Sequence, residues 1–553
     1  MKRTIAGLLA LALLLGLAAC SRDNGEDKTL AFPIAENPGS LDPQIVSRTA
    51  ERIVINNCFE GLVRMGEDGR ILPGAAESWT VSPDGLSYSF RLRRDAQWML
   101  FDGNARTLGD ALQLTEKGAE RVSALRAKVD FRVTAQDFVF ALRRAVDPAI
   151  HAPDAEFLFA LQNAEQIYKG KAKPETLGVA APDDFTLTVT LRQASGDFLR
   201  VLTTAVAMPC HEIFYEATQG RYGLDAANLL CNGPFYLSRW NEGRSLRLSR
   251  STDYRGSSPV LPAAVTLTVD AESGQYAEKL RNGSYAAVAL PESAERNWGA
   301  DFQLQRRPNC VLSLLFHCGT FGNAGLRAAL AGTVDRAALA EAGQEIPAQG
   351  LIPGSCAAGQ GSYRGQAGPA EFIPYEEPKA RQRFQEGLEA LGRQELSFTL
   401  LCTAEYETQM RKLLQQWQQV FGVNCKGSVQ VLPAQELEER LRAKNFDIAF
   451  VPLYAKADTA LGYLESFSSG HADNPCGYRS STFDKLLETI AAAPSDAEAL
   501  RGCKQAEAHL LQNGVALPLF ARESIYVLGK GVSGIYFHPD GENVCFIGGR
   551  QIG

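Results

Sequence analysis

Residues 396–454 read LSFTLLCTAEYETQMRKLLQQWQQVFGVNCKGSVQVLPAQELEERLRAKNFDIAFVPLY. Their order of elements decides the fold class. Residues 396–401 form a short apolar run of strand length, 407–420 a helical segment, and 423–431 a second strand. A helix over 434–443 and the apolar strand 446–453 complete the unit. Strands that alternate with helices predict a parallel sheet covered by helices.

Upstream the pattern changes. Residues 87–93 (SYSFRLR) alternate apolar and polar, as a half-buried strand should, and Asp84-Gly85 before them is a hairpin-type turn. Residues 185–191 (FTLTVTL) alternate in the same way after Asp183-Asp184. Residues 135–146 make an amphipathic helix with Thr134 as N-cap and Asp147-Pro148 as its end. The mature chain opens with a strand over 29–34, a turn, and a helix over 48–57. The class is therefore mixed α/β, with antiparallel hairpins early and βαβ units late. No repeat of solenoid period occurs. Residues 103–130, rich in charge, Ala and Leu, fit none of this and read as a surface insertion.

The chain has 553 residues, 45% hydrophobic and 22% charged, which allows about three domains. A net charge of -7 argues against nucleic acid as a partner, since phosphate neutralisation needs a basic footprint. At the N-terminus Lys2 and Arg3 precede an apolar run from Ile5 to Ala19, too short for a stable bilayer span. The junction Leu17-Ala18-Ala19-Cys20 resembles a bacterial lipobox, which implies cleavage before Cys20 and acylation of its sulfur. Residues 21–28 (SRDNGEDK) read as a flexible leash.

Eleven further cysteines are spread from Cys58 to Cys545 without a CxxC or a zinc-type spacing. Export permits disulfides, and buried thiols acting as small hydrophobes are the alternative. An odd count leaves at least one thiol unbridged. Cys402 and Cys425, each closing a strand-like run beside the helix 407–420, are the candidate bridge. The six histidines (His151, His211, His317, His471, His509, His538) form no HExxH, and no GxSxG, Walker A or strand-linked GxGxxG occurs. The sequence thus offers no catalytic site, metal or cofactor.

Ten colinear pieces carry a resemblance. They include Ser40-Leu41-Asp42-Pro43, Phe59-Glu60-Gly61-Leu62-Val63, the run 72–79 (LPGAAESW), the run 82–93 (SPDGLSYSFRLR) and Gln97-Trp98. The run 134–144 (TAQDFVFALRR), Asn232-Gly233-Pro234-Phe235-Tyr236-Leu237, Leu326–Leu330 with Val334-Asp335-Arg336, and Gly477-Tyr478 through Phe483-Asp484 follow in order. From about residue 29 to the C-terminus the chain resembles the family 5 extracellular solute-binding proteins, the oligopeptide- and dipeptide-binding group. The resemblance implies a two-lobed fold of the type II periplasmic-binding-protein kind with an extra inserted domain. It divides the chain into a signal peptide (1–19), anchor and linker (20–28) and lobe 1 in three segments (29–59, 184–309, 517–553). Domain II is inserted at 60–183, and lobe 2 spans 310–516. It further implies a monomer outside the cytoplasmic membrane. That monomer carries a short peptide or similar small polar solute to an ABC permease and its ATPase subunits, with the membrane reached through the lipid anchor. Same-family binders of nickel, haem or sugar, and a ligand-sensing co-receptor, are the alternatives.

A peptide's main chain costs several kcal/mol for each buried unpaired group, which pairing along a strand avoids without reading side chains. The resemblance places that pairing at 449–454 and an acid for the ligand amine just beyond. In this chain the matching position is Lys456, and the nearest acid is Asp458. Phe450 stands where a pocket arginine is usual and Leu453 where a tryptophan is usual. The candidate ligand-binding residues are Thr49, Phe157, Phe450, Leu453, Tyr454, Lys456, Asp458 and Phe520. Cys310 matches a disulfide cysteine of some relatives, whose partner position here is Tyr454, so that bridge is expected to be missing.

Overall fold

A computed structural model of the chain describes residues 28–552 apart from 68–69, 100–130, 193–194, 196–197, 257, 291–297, 344, 359–360, 455–458, 470, 472–473, 494 and 539–542. Cys20 and the 103–130 insertion lie outside the described residues.

The unit 396–454 folds as its sequence predicts. Strands Leu396–Cys402 and Cys425–Val431 pair in parallel through the crossover helix Glu407–Phe421. Gly422, at φ 68°, ends that helix in the left-handed region that glycine enters without a Cβ penalty. After helix Ala434–Arg442 the strand Ile448–Tyr454 joins the other edge of Leu396–Cys402, again in parallel. Two long strands, Gln303–Phe316 and Ala516–Leu528, extend the sheet on antiparallel registers, and Ala287–Leu290 and Ile346–Pro347 pair with the second of them. Alternate residues feed opposite cores. Leu312, Leu314, Phe316, Leu400, Ile448 and Phe450 belong to one buried cluster. Leu315, Leu401, Ala449 and Val451 belong to another on the reverse face. Apolar runs without alternation in this unit are what a sheet buried on both faces demands.

The early chain builds two four-stranded sheets. One is antiparallel, in the order Ala76–Val81, Ser87–Leu92, Thr186–Thr190, Val179–Asp183. The other runs Thr29–Ile34, Ala264–Val269, Ser245–Arg250, Phe235–Asn241. Helix Ala135–Val146 starts after Thr134, whose N–H donates to the Asp137 carboxylate at 2.7 Å. These elements share one large core.

The two long strands connect the early and late parts. Leu517 and Phe520 sit in the core of the late sheet, whereas Tyr526 and Leu528 sit in the early core. Their register shifts between Arg307 and Cys310, and at that irregularity the Ser524 hydroxyl donates to Asn309 Oδ1 at 3.0 Å. A bulge bends a strand and loosens its ladder locally.

The candidate bridge Cys402–Cys425 is corrected. The register sets Leu396 opposite Cys425 and Cys402 opposite Val431. The two cysteines therefore lie at opposite ends of a parallel pair, about 20 Å apart at ~3.3 Å per residue, where a disulfide needs Cα atoms within ~7 Å. Both are buried thiols in no disulfide. Cys310 lies directly opposite Tyr454, the pairing of positions that the resemblance implied.

Candidate functional site

Strand Ile448–Tyr454 climbs out of the core along its length. Ile448 and Ala449 are fully buried, Phe450 is 1% exposed, and Tyr454 at the end is 55% exposed. On one side this strand pairs with Gln303–Phe316 over all seven residues, Ile448 with Phe316 through Tyr454 with Cys310. On the other side it pairs only at Ile448 and Ala449, with Leu400 and Leu401. Past Cys402 the neighbouring chain turns into the short 3-10 helix Ala404–Tyr406 and leaves the sheet. From Phe450 onward, then, one main-chain edge has no strand beside it among the described residues. An uncovered edge next to a buried sheet end is a template for an added strand.

The side chains at this end divide by parity. Tyr454, Cys310 and Arg522 form one cross-strand row, since Cys310 pairs with both of the others. Phe450 and Phe520 face the same way deeper in the sheet. Their rings meet edge-on at 5.8 Å, and Phe450 meets Tyr406 at 4.9 Å. At 1% and 0% exposure these two phenylalanines are the floor beneath the site and present no surface to a ligand. Leu453 points to the reverse face and packs half-buried on that core. Tyr454 is the candidate with open surface. Lys456 and Asp458 lie outside the described residues.

Thr49 and Phe157 belong to the early part of the chain. Thr49 is exposed and opens helix Thr49–Cys58. Its turn is fixed by Glu51, whose carboxylate accepts from the N–H groups of Gly39 (3.0 Å), Ser47 (3.0 Å) and Arg48 (3.1 Å). Burial raises the Glu51 carboxyl, but these bonds and Arg48 outweigh it and hold the group below its ordinary pKa. Phe157 is half-buried in the 3-10 helix Ala155–Leu158. Arg52 ties the two elements by an ion pair to Asp154 at 2.9 Å. The structure thus ties the helix that carries Thr49 to the segment that carries Phe157, and places Phe450, Leu453, Tyr454 and Phe520 in one sheet.

Sequence reasoning missed the charged group beside Tyr454. Arg522 pairs with Glu405 at 2.5 Å, lies over the Tyr406 ring at 5.2 Å, and stands 3.9 Å from Glu345. Burial pushes the Glu345 carboxyl up against the opposing charge of Arg522, and Glu405 adds a smaller push in the same direction as burial. The available signal was parity: Arg522 follows Phe520 by two residues and so shares its face. Two cavities, of about 130 and 210 Å³, lie elsewhere and include none of the candidate residues. Among the described residues no three His, Cys, Asp or Glu side chains converge as a metal site.

Residues 70–475 match the family model described as bacterial extracellular solute-binding proteins, family 5 Middle. The dipeptide-binding protein DppE of Bacillus subtilis (strain 168) is 24% identical over 537 residues, which cover 94% of this chain and 91% of that protein. The substrate-binding domain of an oligopeptide ABC transporter from Bacillus anthracis superposes with a TM-score of 0.72 at 22% identity, over 96% of this chain and 100% of that one. Listeria monocytogenes OppA bound to peptide superposes with a TM-score of 0.71 at 21% identity, over 95% and 99%.

Proposed function

The chain belongs to the bacterial extracellular solute-binding proteins of family 5, and from that premise we propose that it captures short peptides between two lobes and delivers them to an ABC importer. A protein of this kind holds its ligand and transforms nothing. The observation that carries the peptide reading is the uncovered edge from Phe450 to Tyr454. A peptide laid along it satisfies its own N–H and C=O groups by ladder bonds, and the exposed Tyr454 ring borders that edge. In this reading the lobes divide where the register of the two long strands shifts, and hinge closure there buries the ligand. Arg522, Glu405 and Glu345 then form a charged wall at one end of the ligand strand.

In the same reading the acylated Cys20 tethers a monomer outside the membrane, with residues 21–28 as its leash. Among the described residues no helix is long and apolar enough to cross a membrane.

Thermal denaturation with pools of di- to pentapeptides tests the ligand class. A peptide at 100 times its Kd should add about 2.7 kcal/mol of stability, read in a chain of this length as a shift of about 2 degrees in Tm. A chain unmoved by every peptide pool but stabilised by nickel, haem or a sugar would overturn the peptide reading and leave the family standing.

A further inference from the structure

Two cysteines that peptide capture leaves unused meet just past the strand Gln303–Phe316. The chain there keeps its bonds beyond the strand end. The His317 N–H donates to the Asp447 carbonyl at 3.0 Å, and the Cys318 N–H donates directly to the Cys476 carbonyl at 2.8 Å. The structure holds both cysteines as thiols. From this juxtaposition we infer that Cys318 and Cys476 are the two ends of a disulfide, formed when the chain meets a disulfide donor outside the cytoplasm.

The backbone bond sets the span. Residues that face each other across such bonds in an antiparallel pair have Cα atoms about 5.5 Å apart, inside the ~4.4–6.8 Å that a disulfide bridges. The side chains converge as well. Cys318 Sγ lies 3.6 Å from the Phe316 carbonyl oxygen, and Cys476 Sγ lies 3.4 Å from the Val515 carbonyl oxygen. The Phe316 N–H donates to that same Val515 oxygen at 3.2 Å. The N–H and C=O of one strand residue point to the same side, so both sulfurs lie along one edge of Phe316. They also share a neighbour. Arg327, 3% exposed, donates to the Asn513 carbonyl at 3.1 Å and to the Phe321 carbonyl, and its charge bears on both sulfurs. Cys476 is held on both sides: Asn474 Nδ2 donates to the Tyr478 carbonyl at 2.7 Å, and Asn474 Oδ1 accepts from the Tyr478 N–H at 3.1 Å.

The order of steps follows from exposure, since Cys318 is half-buried and Cys476 is fully buried. The Cys318 thiolate attacks one sulfur of the donor disulfide, forms a mixed disulfide and expels one donor thiolate. The Cys476 thiolate then attacks the Cys318 sulfur and expels the second. Two protein thiols give up two protons and two electrons, and the donor disulfide is reduced to two thiols. Burial pushes both thiols up, Cys318 adds to the push on Cys476, and Arg327 opposes at both, so the exchange runs faster above neutral pH. The family is extracellular, where disulfides persist. The bridge ties the approach to helix Ser481–Ala491 to the strand Gln303–Phe316. It lies at the Phe316 end of the pairing with Ile448–Tyr454, opposite the Tyr454 end that borders the peptide edge.

The test incubates the full mature chain at pH 8.5 with oxidised glutathione. Remaining thiols are then blocked with iodoacetamide in denaturant, and peptides are mapped by mass spectrometry without reduction. The expected result is one linked pair of peptides carrying Cys318 and Cys476, two hydrogens lighter than their sum, with alkylation lost at both. C476S should instead hold glutathione on Cys318, and C318S should leave Cys476 as a thiol. The oxidised parent should melt higher than the same chain after dithiothreitol, because the bridge restricts the unfolded chain. C318S should lose most of that difference and keep the parent's peptide-induced shift. A treated parent that is alkylated at both cysteines, that carries glutathione on Cys318 beside a free Cys476, or that links either one to a different cysteine overturns the proposal.

Discussion

Arg144→Ala is expected to lower folding stability by about 3–5 kcal/mol, the usual cost of leaving one half of a buried ion pair behind. Arg144 and Asp42 form a salt bridge with side chains 5% and 6% exposed. Arg144 Nη1 also donates to Gln44 Oε1 at 2.6 Å, and its guanidinium lies over the Tyr215 ring at 4.2 Å. Gln44 in turn donates to the Met208 carbonyl at 2.9 Å. One side chain thereby joins the loop that leads to Thr49, the helix Ala135–Val146 and the segment before His211. Alanine at 144 strands the Asp42 carboxylate with little more than the Gln44 N–H at 3.2 Å. Arg144→Lys should recover only part of the loss, since an ammonium cannot fork to Asp42 and Gln44 while stacking on a ring. Replacing both partners, as in D42L/R144M, should cost less than Arg144→Ala alone. Denaturant midpoints and Tm would read all three, with the half-buried Arg143→Ala as the control, expected within about 1 kcal/mol of the parent. An Arg144→Ala variant as stable as that control would show the network to be dispensable.

That network also joins two separated motifs of the sequence. Ser40-Leu41-Asp42-Pro43 and the run ending Ala141-Leu142-Arg143-Arg144 look independent on the chain, yet Asp42 and Arg144 meet across 102 residues. Local periodicity revealed the elements on each side and nothing of the contact. The same division holds elsewhere. The strands and helices of 396–454 were legible because burial on both faces and amphipathic helices write themselves into a short window. The pairing of Gln303–Phe316 with Ala516–Leu528 was not, because its partners are some two hundred residues apart and no local signal records register. The error over Cys402 and Cys425 has this origin as well. Proximity to one helix was legible, but in a parallel pair the end of one strand and the start of the next lie at opposite ends of the ladder.

At the candidate site the sequence named a strand whose side chains the structure sorts by depth. Phe450 is a candidate in the sequence because the resemblance places a pocket residue at its position, and Phe520 because it follows Leu517-Pro518. Their shared parity with Leu312 and Ile448 commits them to the core instead. Tyr454 keeps that parity but lies past the end of the core, so the same face becomes surface. Arg522, Glu405 and Tyr406 meet through the fold alone, from a long strand and a short 3-10 helix 117 residues apart in sequence.

Lys456→Asp should strengthen binding of a free-amine tripeptide at least tenfold, about 1.4 kcal/mol, and leave its N-acetylated counterpart unimproved. Lys456 follows the last residue of the strand Ile448–Tyr454 by two positions. If the ligand runs along the edge from Phe450 to Tyr454 as the resemblance implies, the position that would meet its amine carries a lysine in this sequence. Two unit charges 4 Å apart interact by about 4 kcal/mol at an effective dielectric near 20. Solvent at the strand end reduces that figure, but reversing the sign removes a repulsion and adds an attraction together. Asp458→Asn separates the remaining route. Where Asp458 serves the amine in place of Lys456, its loss should weaken the free-amine ligand about tenfold in the parent and much less in the Lys456→Asp background. Glu405→Gln distinguishes the charged wall from both, since it removes one acid from beside Arg522 and should favour a ligand carboxylate at that end. Calorimetry with the free and acetylated peptides would read each case. An unchanged ratio of the two affinities in Lys456→Asp would mean that this lysine faces solvent and that the amine end of the ligand lies elsewhere.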